Sequence, residues 1–126
     1  MPSAGYYSIE VQITNDTATS FAIQAATTDG ENDVWITNEQ PHVGSTLSPA
    51  ETLMVGVSTD DQDGPAGGSV SLTASGADEP VAITFQVPPE EGGVNVVGPT
   101  AYSYTTQQVQ TSEGTHAMYQ VTILGR

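Results

Sequence analysis

LSPAETLMVGVSTDDQDGPAGGSVSL, from Leu47 to Leu72, decides how the rest of the chain reads. Leu53, Val55 and Val57 recur at every second position with Met54 and Gly56 between them, and Val70, Leu72 and Ala74 alternate with Ser71 and Thr73. Between them, Thr59 to Gly68 is made almost wholly of turn formers. A period of two bounded by Gly, Pro and Asp clusters predicts two half-buried strands joined by a long polar loop.

The same grammar runs outward in both directions. Tyr7, Ile9, Val11 and Ile13 alternate with Ser8, Glu10, Gln12 and Thr14. Asn15-Asp16-Thr17 is turn chemistry, and the triplet also fits a glycosylation acceptor. Phe21, Ile23 and Ala25 form the next run, which can pair with the first as a hairpin. Asp29 to Asp33 breaks the pattern before a short strand at Val34-Trp35-Ile36. The connection Asn38 to Ser48 leaves room only for something short. Val81, Ile83, Phe85 and Val87 alternate cleanly until Pro88-Pro89, where pairing must stop because proline cannot donate to a ladder. Val94 to Val97 is a short strand. Tyr102 to Gln110 is a polar, Thr- and Gln-rich strand suited to an edge. Ala117, Tyr119, Val121 and Ile123 close the chain. No window has helical periodicity. About nine short strands at roughly ten-residue spacing predict an all-β fold, an antiparallel two-sheet β-sandwich, as a single domain over residues 1–126.

Charge narrows the function classes. The chain of 126 residues has 15 Asp and Glu but a single Lys or Arg, Arg126, for a formal net charge of −14. Ion pairs can contribute little to such a fold, so its carboxylates must be solvated or hydrogen-bonded to neutral donors. No nucleic acid is expected as a partner, since nothing is there to displace counterions from phosphates. Docking to anionic lipid is disfavoured for the same reason. There is no cysteine, which removes disulfides, thiol chemistry and zinc knuckles. The opening MPSAGYYSIE lacks the basic flank and apolar core of a signal peptide. The expectation is a cytoplasmic protein, or one released without a classical signal.

No motif demands a catalytic reading. Asp60-Asp61-Gln62-Asp63-Gly64 clusters the oxygens a calcium ion wants, but the spacing fails and no Glu closes the loop, so it reads as a solvated turn. Glu90-Glu91 lies between prolines and glycines. His42 and His116 stand far apart without a recognised catalytic context. The glycines at 64–68 and 92–93 do not lead into a helix or lie near a Lys, and they read as loop glycines rather than phosphate cradles. The chain is therefore read as a non-enzyme without metal or cofactor. Of the aromatics, Tyr7 and Tyr119 fall in core phase. Trp35 is out of phase with Val34 and Ile36, so either both faces of that strand are covered or Trp35 points outward.

Taken in order, these segments resemble the aegerolysin family of small acidic β-sandwich proteins. The likeness covers most of the chain. It is carried by the first strand ending in Ile13-Thr14-Asn15-Asp16-Thr17, and by a second strand with a Gly/Asp turn leading to Trp35. Leu47-Ser48-Pro49-Ala50-Glu51 before a strand, Gly64-Pro65-Ala66-Gly67-Gly68-Ser69-Val70, and a Gly-Thr turn before the last strand complete it. The family's aromatic segment of Trp-x-x-Pro-Trp type is missing, and Val87-Pro88-Pro89-Glu90-Glu91 stands in its place. The resemblance implies a module that binds membrane lipid of sphingolipid and sterol type, with a larger perforin-like protein as partner in pore formation. Trp35, Tyr102 and Tyr104 are then the expected membrane contacts. The alternatives are a self-assembling structural subunit, forming a homo-oligomer through the Tyr102–Gln110 edge, and a carbohydrate-binding module stacking sugar on Trp35.

The charge imbalance yields a direct test. The melting temperature should rise between about 10 mM and about 1 M NaCl, as the Debye length shrinks from roughly 30 Å to roughly 3 Å and screens the self-repulsion. A flat or falling melting curve would contradict it.

Overall fold

A computed structural model describes residues 7–28, 33–36, 39–59, 66–74, 79–87, 93–112 and 116–125. It contains ten strands and, among the described residues, no helix. In chain order they are β1 (Tyr7–Asp16), β2 (Phe21–Thr28), β3 (Asp33–Trp35), β4 (Thr46–Leu47), β5 (Thr52–Thr59), β6 (Ala66–Ala74), β7 (Val81–Val87), β8 (Gly93–Val97), β9 (Tyr102–Ser112) and β10 (His116–Gly125). The first sheet runs β3-β5-β1-β10-β9 and the second β4-β2-β6-β7-β8. The all-β, two-sheet sandwich is the fold that the alternation predicts.

Each strand points one side inward, as a period of two requires. Ile9, Val11 and Ile13 of β1 meet Val55 and Val57 of β5 and Val121 and Ile123 of β10 on the inner side of the first sheet. Phe21, Ile23, Val70, Leu72, Val81, Ile83 and Phe85 line the facing side of the second, and all are buried. Tyr119 is buried and Tyr7 packs against the core, in the phase expected of them. At about 25 cal/mol per Å² of apolar surface removed from water, this shared layer is the main favourable contribution to folding.

The pairing differs from the simplest reading in three ways. The two runs within Leu47 to Leu72 do not pair with each other: β5 lies in the first sheet and β6 in the second. Nor do β1 and β2 make a hairpin, for they too lie in opposite sheets. In both cases consecutive strands are divided between the sheets, which alternation cannot reveal because it specifies a face and not a neighbour. Third, β1 and β10 run parallel, from Ser8 opposite His116 to Asp16 opposite Leu124, within a fold whose other pairs are antiparallel. The tenth strand is the two-residue β4, inside the connection that had room only for something short.

Neutral polar groups fasten the two sheets. Asn15, at the end of β1, is fully buried. Its Nδ2 donates to the Thr19 carbonyl at 2.7 Å and to the Leu47 carbonyl of β4 at 3.0 Å. Its Oδ1 accepts from the Thr17 amide at 3.1 Å and the Thr17 hydroxyl at 2.6 Å. Its backbone bonds Ala50 and Glu51. A buried side-chain nitrogen with two acceptors is not a glycosylation site in the folded protein, so the acceptor reading of Asn15-Asp16-Thr17 is corrected here. Asp33 makes a second link: from β3 it accepts the Gly67 amide of β6 at 3.2 Å.

The turn that meets Asn15 is strained. Glu51 donates its amide to the Ser48 carbonyl, which closes a four-residue turn with Pro49 second and Ala50 third. Ala50 has φ of 70°, the left-handed conformation this position asks of glycine, at a cost of about 1 kcal/mol. By contrast, Gly68 has no room for a side chain, since a Cβ there would lie 2.5 Å from the Thr27 carbonyl of β2. That packing explains one of the glycines in the Gly64–Gly68 run; Gly64 lies outside the described residues.

Asn15→Asp tests the clasp. The carboxylate cannot donate to the Thr19 and Leu47 carbonyls, so urea unfolding at pH 7 should show a loss of about 3 kcal/mol. The loss should shrink near pH 4, where a protonated acid regains one donor. Equal stability at pH 7 would mean the clasp contributes nothing.

Candidate functional site

The three sequence-predicted contacts fall on opposite margins of the first sheet. Trp35 ends β3, at one edge; Tyr102 and Tyr104 begin β9, at the other, with β5, β1 and β10 between. The structure does not bring them together. Trp35 shares the inward phase of buried Asp33, is half-buried and packs against the core. It is Val34 that faces out, with 58% of its surface exposed. The outward alternative for Trp35 is corrected in that respect. Tyr102 is half-buried, its ring edge-on to Phe21 across the sandwich at 5.3 Å and 62°. Tyr104 is also half-buried, and its hydroxyl donates to the Pro99 carbonyl at 2.8 Å. Both tyrosines therefore brace the corner between β8 and β9.

The β3 margin holds a second feature that no sequence pattern announces. Past Trp35 the chain stays beside β5: the Ile36 amide bonds the Gly56 carbonyl, and the Gly56 amide bonds the Glu39 carbonyl. The Glu39 carboxyl then lies over Gly56, where a Cβ would collide with its Oε1 and crowd Ile36 and Glu10. Glu10, on β1, is the register partner of Gly56. Two carboxyl groups thus meet above a glycine, on the outer side of the sheet. The buried Oε1 of Glu39 has no donor from another residue. The neutral, protonated form of Glu39 is favoured in this setting. Burial first, and then the hydrogen bond and negative charge of Glu10, raise Glu39 from 4.5 to about 7.

Beside this pair, along the part of β5 that β3 does not reach, is an open groove of about 440 Å³ lined by Gln40, His42, Thr52, Leu53 and Met54. His42 is exposed there, while His116 opens β10. Among the described residues, no three histidine or acidic side chains gather as metal ligands do. The calcium-like run Asp60 to Gly64, and Glu90-Glu91, lie outside the described residues.

At the opposite margin, β9 is the long edge strand that its Thr/Gln composition suggests. Thr105, Thr106, Gln107, Gln108 and Val109 are all exposed, on both sides of the strand. From Thr105 to Val109, β9 therefore extends past the cover of the second sheet. Neither a family model nor a curated protein sequence matches this chain.

The carboxyl pair gives stability a definite pH dependence. Because the folded state raises Glu39 above its unfolded value, it holds the proton more tightly. The associated stability is complete below pH 4.5 and is lost as pH climbs through about 7. Glu39→Gln should remove this slope and be more stable than the parent at pH 8, by about 1 kcal/mol after solvent screening of a half-exposed pair. Parallel pH–stability curves for parent and variant would refute the raised Glu39.

Proposed function

We propose that this chain is a non-enzymatic recognition module that docks on a membrane lipid surface through the β3 margin of its first sheet. The observation that carries the reading is the run Val34-Trp35-Ile36 on an edge strand. Val34 is mostly exposed, and Trp35 and Ile36 are half-exposed beside it. Aromatic and branched side chains at a sheet margin suit the boundary between head groups and acyl chains, where an indole has one apolar and one polar side.

Charge sets the class of lipid. A body carrying −14 is repelled by an anionic leaflet, so the head group must be neutral or zwitterionic. A sphingolipid mixed with sterol meets that requirement. The raised proton affinity of Glu39 lowers the charge next to Ile36 below neutral pH, which favours the approach. The order of strands and turns that resembles the aegerolysins, together with a two-sheet sandwich, supports the same reading. A larger perforin-like protein would then be the partner in pore formation. Tyr102 and Tyr104 contribute to this function by holding the β8–β9 corner rather than by touching lipid.

Trp35 is the only tryptophan and reports on its own surroundings. Sedimentation with sphingomyelin–cholesterol vesicles at pH 6.5 should carry the protein into the pellet and shift its emission to the blue. Vesicles of phosphatidylserine should not bind it. Val34→Glu, at an exposed position, should keep the fold and weaken vesicle binding about tenfold or more, since a charge is costly to bring into the interface. Folded protein that stays in the supernatant with every neutral and zwitterionic mixture would overturn the proposal.

A further inference from the structure

The sandwich has four sheet margins, and they are not alike. β4 has two residues, β3 three and β8 five, whereas β9 has eleven. Short edge strands prevent open backbone groups from templating unwanted pairing. Lysine, proline and inward charge serve the same end, and β9 has none of them: YSYTTQQVQTS contains no charged residue and no proline. Its one irregularity is at Val109. Gln108 pairs with Tyr119 and Gln110 with Met118, which leaves Val109 bulged. At the other end, the Tyr102 amide is taken by the Pro99 carbonyl. Between these limits lies a regular, uncharged run from Ser103 to Gln107.

We infer that β9 pairs with β9 of a second copy of this chain, antiparallel about a twofold axis at Thr105, so that the first sheets of two molecules join into one. The run is self-complementary in this register. Thr105 faces Thr105, Tyr104 faces Thr106, and Ser103 faces Gln107. Aromatic with β-branched and threonine with threonine are among the favourable cross-strand pairs, and no like charges are opposed. The faces also agree. Tyr104 lies opposite buried Ile123 on β10, and Thr106 opposite buried Val121, so both belong to the inner side of the sheet.

Three observations select a second copy as the occupant. The margins at β3 and β4 are too short to match this five-residue run, and β8 is broken at its first residue by the positive φ of Gly93, so pairing of β9 with itself, which closes about a twofold axis, is favoured over a head-to-tail filament. A basic partner drawn by the overall charge would seek carboxylates, and β9 presents none. Finally, an eleven-residue strand without a charge gives two bodies of charge −14 a long margin on which its own side chains oppose no carboxylates. This inference is independent of the lipid reading, which uses the opposite margin.

Sedimentation velocity of the full chain across protein concentration, in low and high NaCl, reads the result. A monomer–dimer equilibrium is expected, shifting toward dimer with salt as the repulsion is screened. Thr105→Glu opposes two carboxylates across the axis and should weaken the dimer about tenfold or more with circular dichroism unchanged. Thr105→Cys, in an otherwise cysteine-free chain, should link two copies on mild oxidation, whereas Ala22→Cys on exposed β2 should not. A monomer at all salts, a filament, or a dimer indifferent to Thr105→Glu and not linked by Thr105→Cys would overturn the inference.

Discussion

Asn15 joins the two sheets through hydrogen bonds that carry no formal charge, and the fold depends on linkages of that kind. With Arg126 the only Lys or Arg, an internal carboxylate has no cation to meet, and an unpaired buried charge is among the costliest things a core can contain. Asn15 avoids the problem because an amide both donates and accepts. It satisfies two carbonyls and a threonine at once, where the end of β1, the following turn and β4 come together. Asp33 solves it differently, accepting the Gly67 amide of the facing sheet. Glu39 responds in a third way: burial, and then the nearby Glu10, raise its affinity for a proton. All three follow from the same shortage.

The strands were readable because burial on one side imposes a period of two. Ile9-Val11-Ile13, Val81-Ile83-Phe85 and Tyr119-Val121-Ile123 state both their conformation and their inward side. Their neighbours were not readable. Nothing in the runs of β5 and β6 tells that the two strands lie in different sheets, because register is set by contacts distant in sequence. Trp35 misled for a related reason: in Val34-Trp35-Ile36 all three residues are apolar, so alternation is silent, and the burial of Asp33 is what shows the phase. Asn15 carried a turn signal that was true locally but hid its reach to Leu47. Glu39 carried no signal at all, since its environment is made by Glu10 and Gly56 from two other strands.

The first sheet ends in two margins of different character. At β3, a short strand presents apolar side chains next to a carboxyl pair. At β9, a long strand presents backbone and neutral polar groups. Side chains dominate at one and main chain at the other, and the two proposals divide along that line. Three strands keep them apart, so occupation of one leaves the other accessible.

The parallel pairing of β1 with β10 also governs the order in which a nascent chain can assemble. The second sheet draws on residues 21–97, and its strands are all synthesised before β9 and β10. The first sheet has no such head start. Its central strand, β1, is synthesised early but keeps a bare flank until residues 116–125 arrive to fill the place between β1 and β9. Closure of that long loop slows folding, and an unfilled flank beside Ile9, Val11 and Ile13 is a place for chaperones to act. A translation stop just before β10 would therefore yield a chain with one sheet complete and the other split in two.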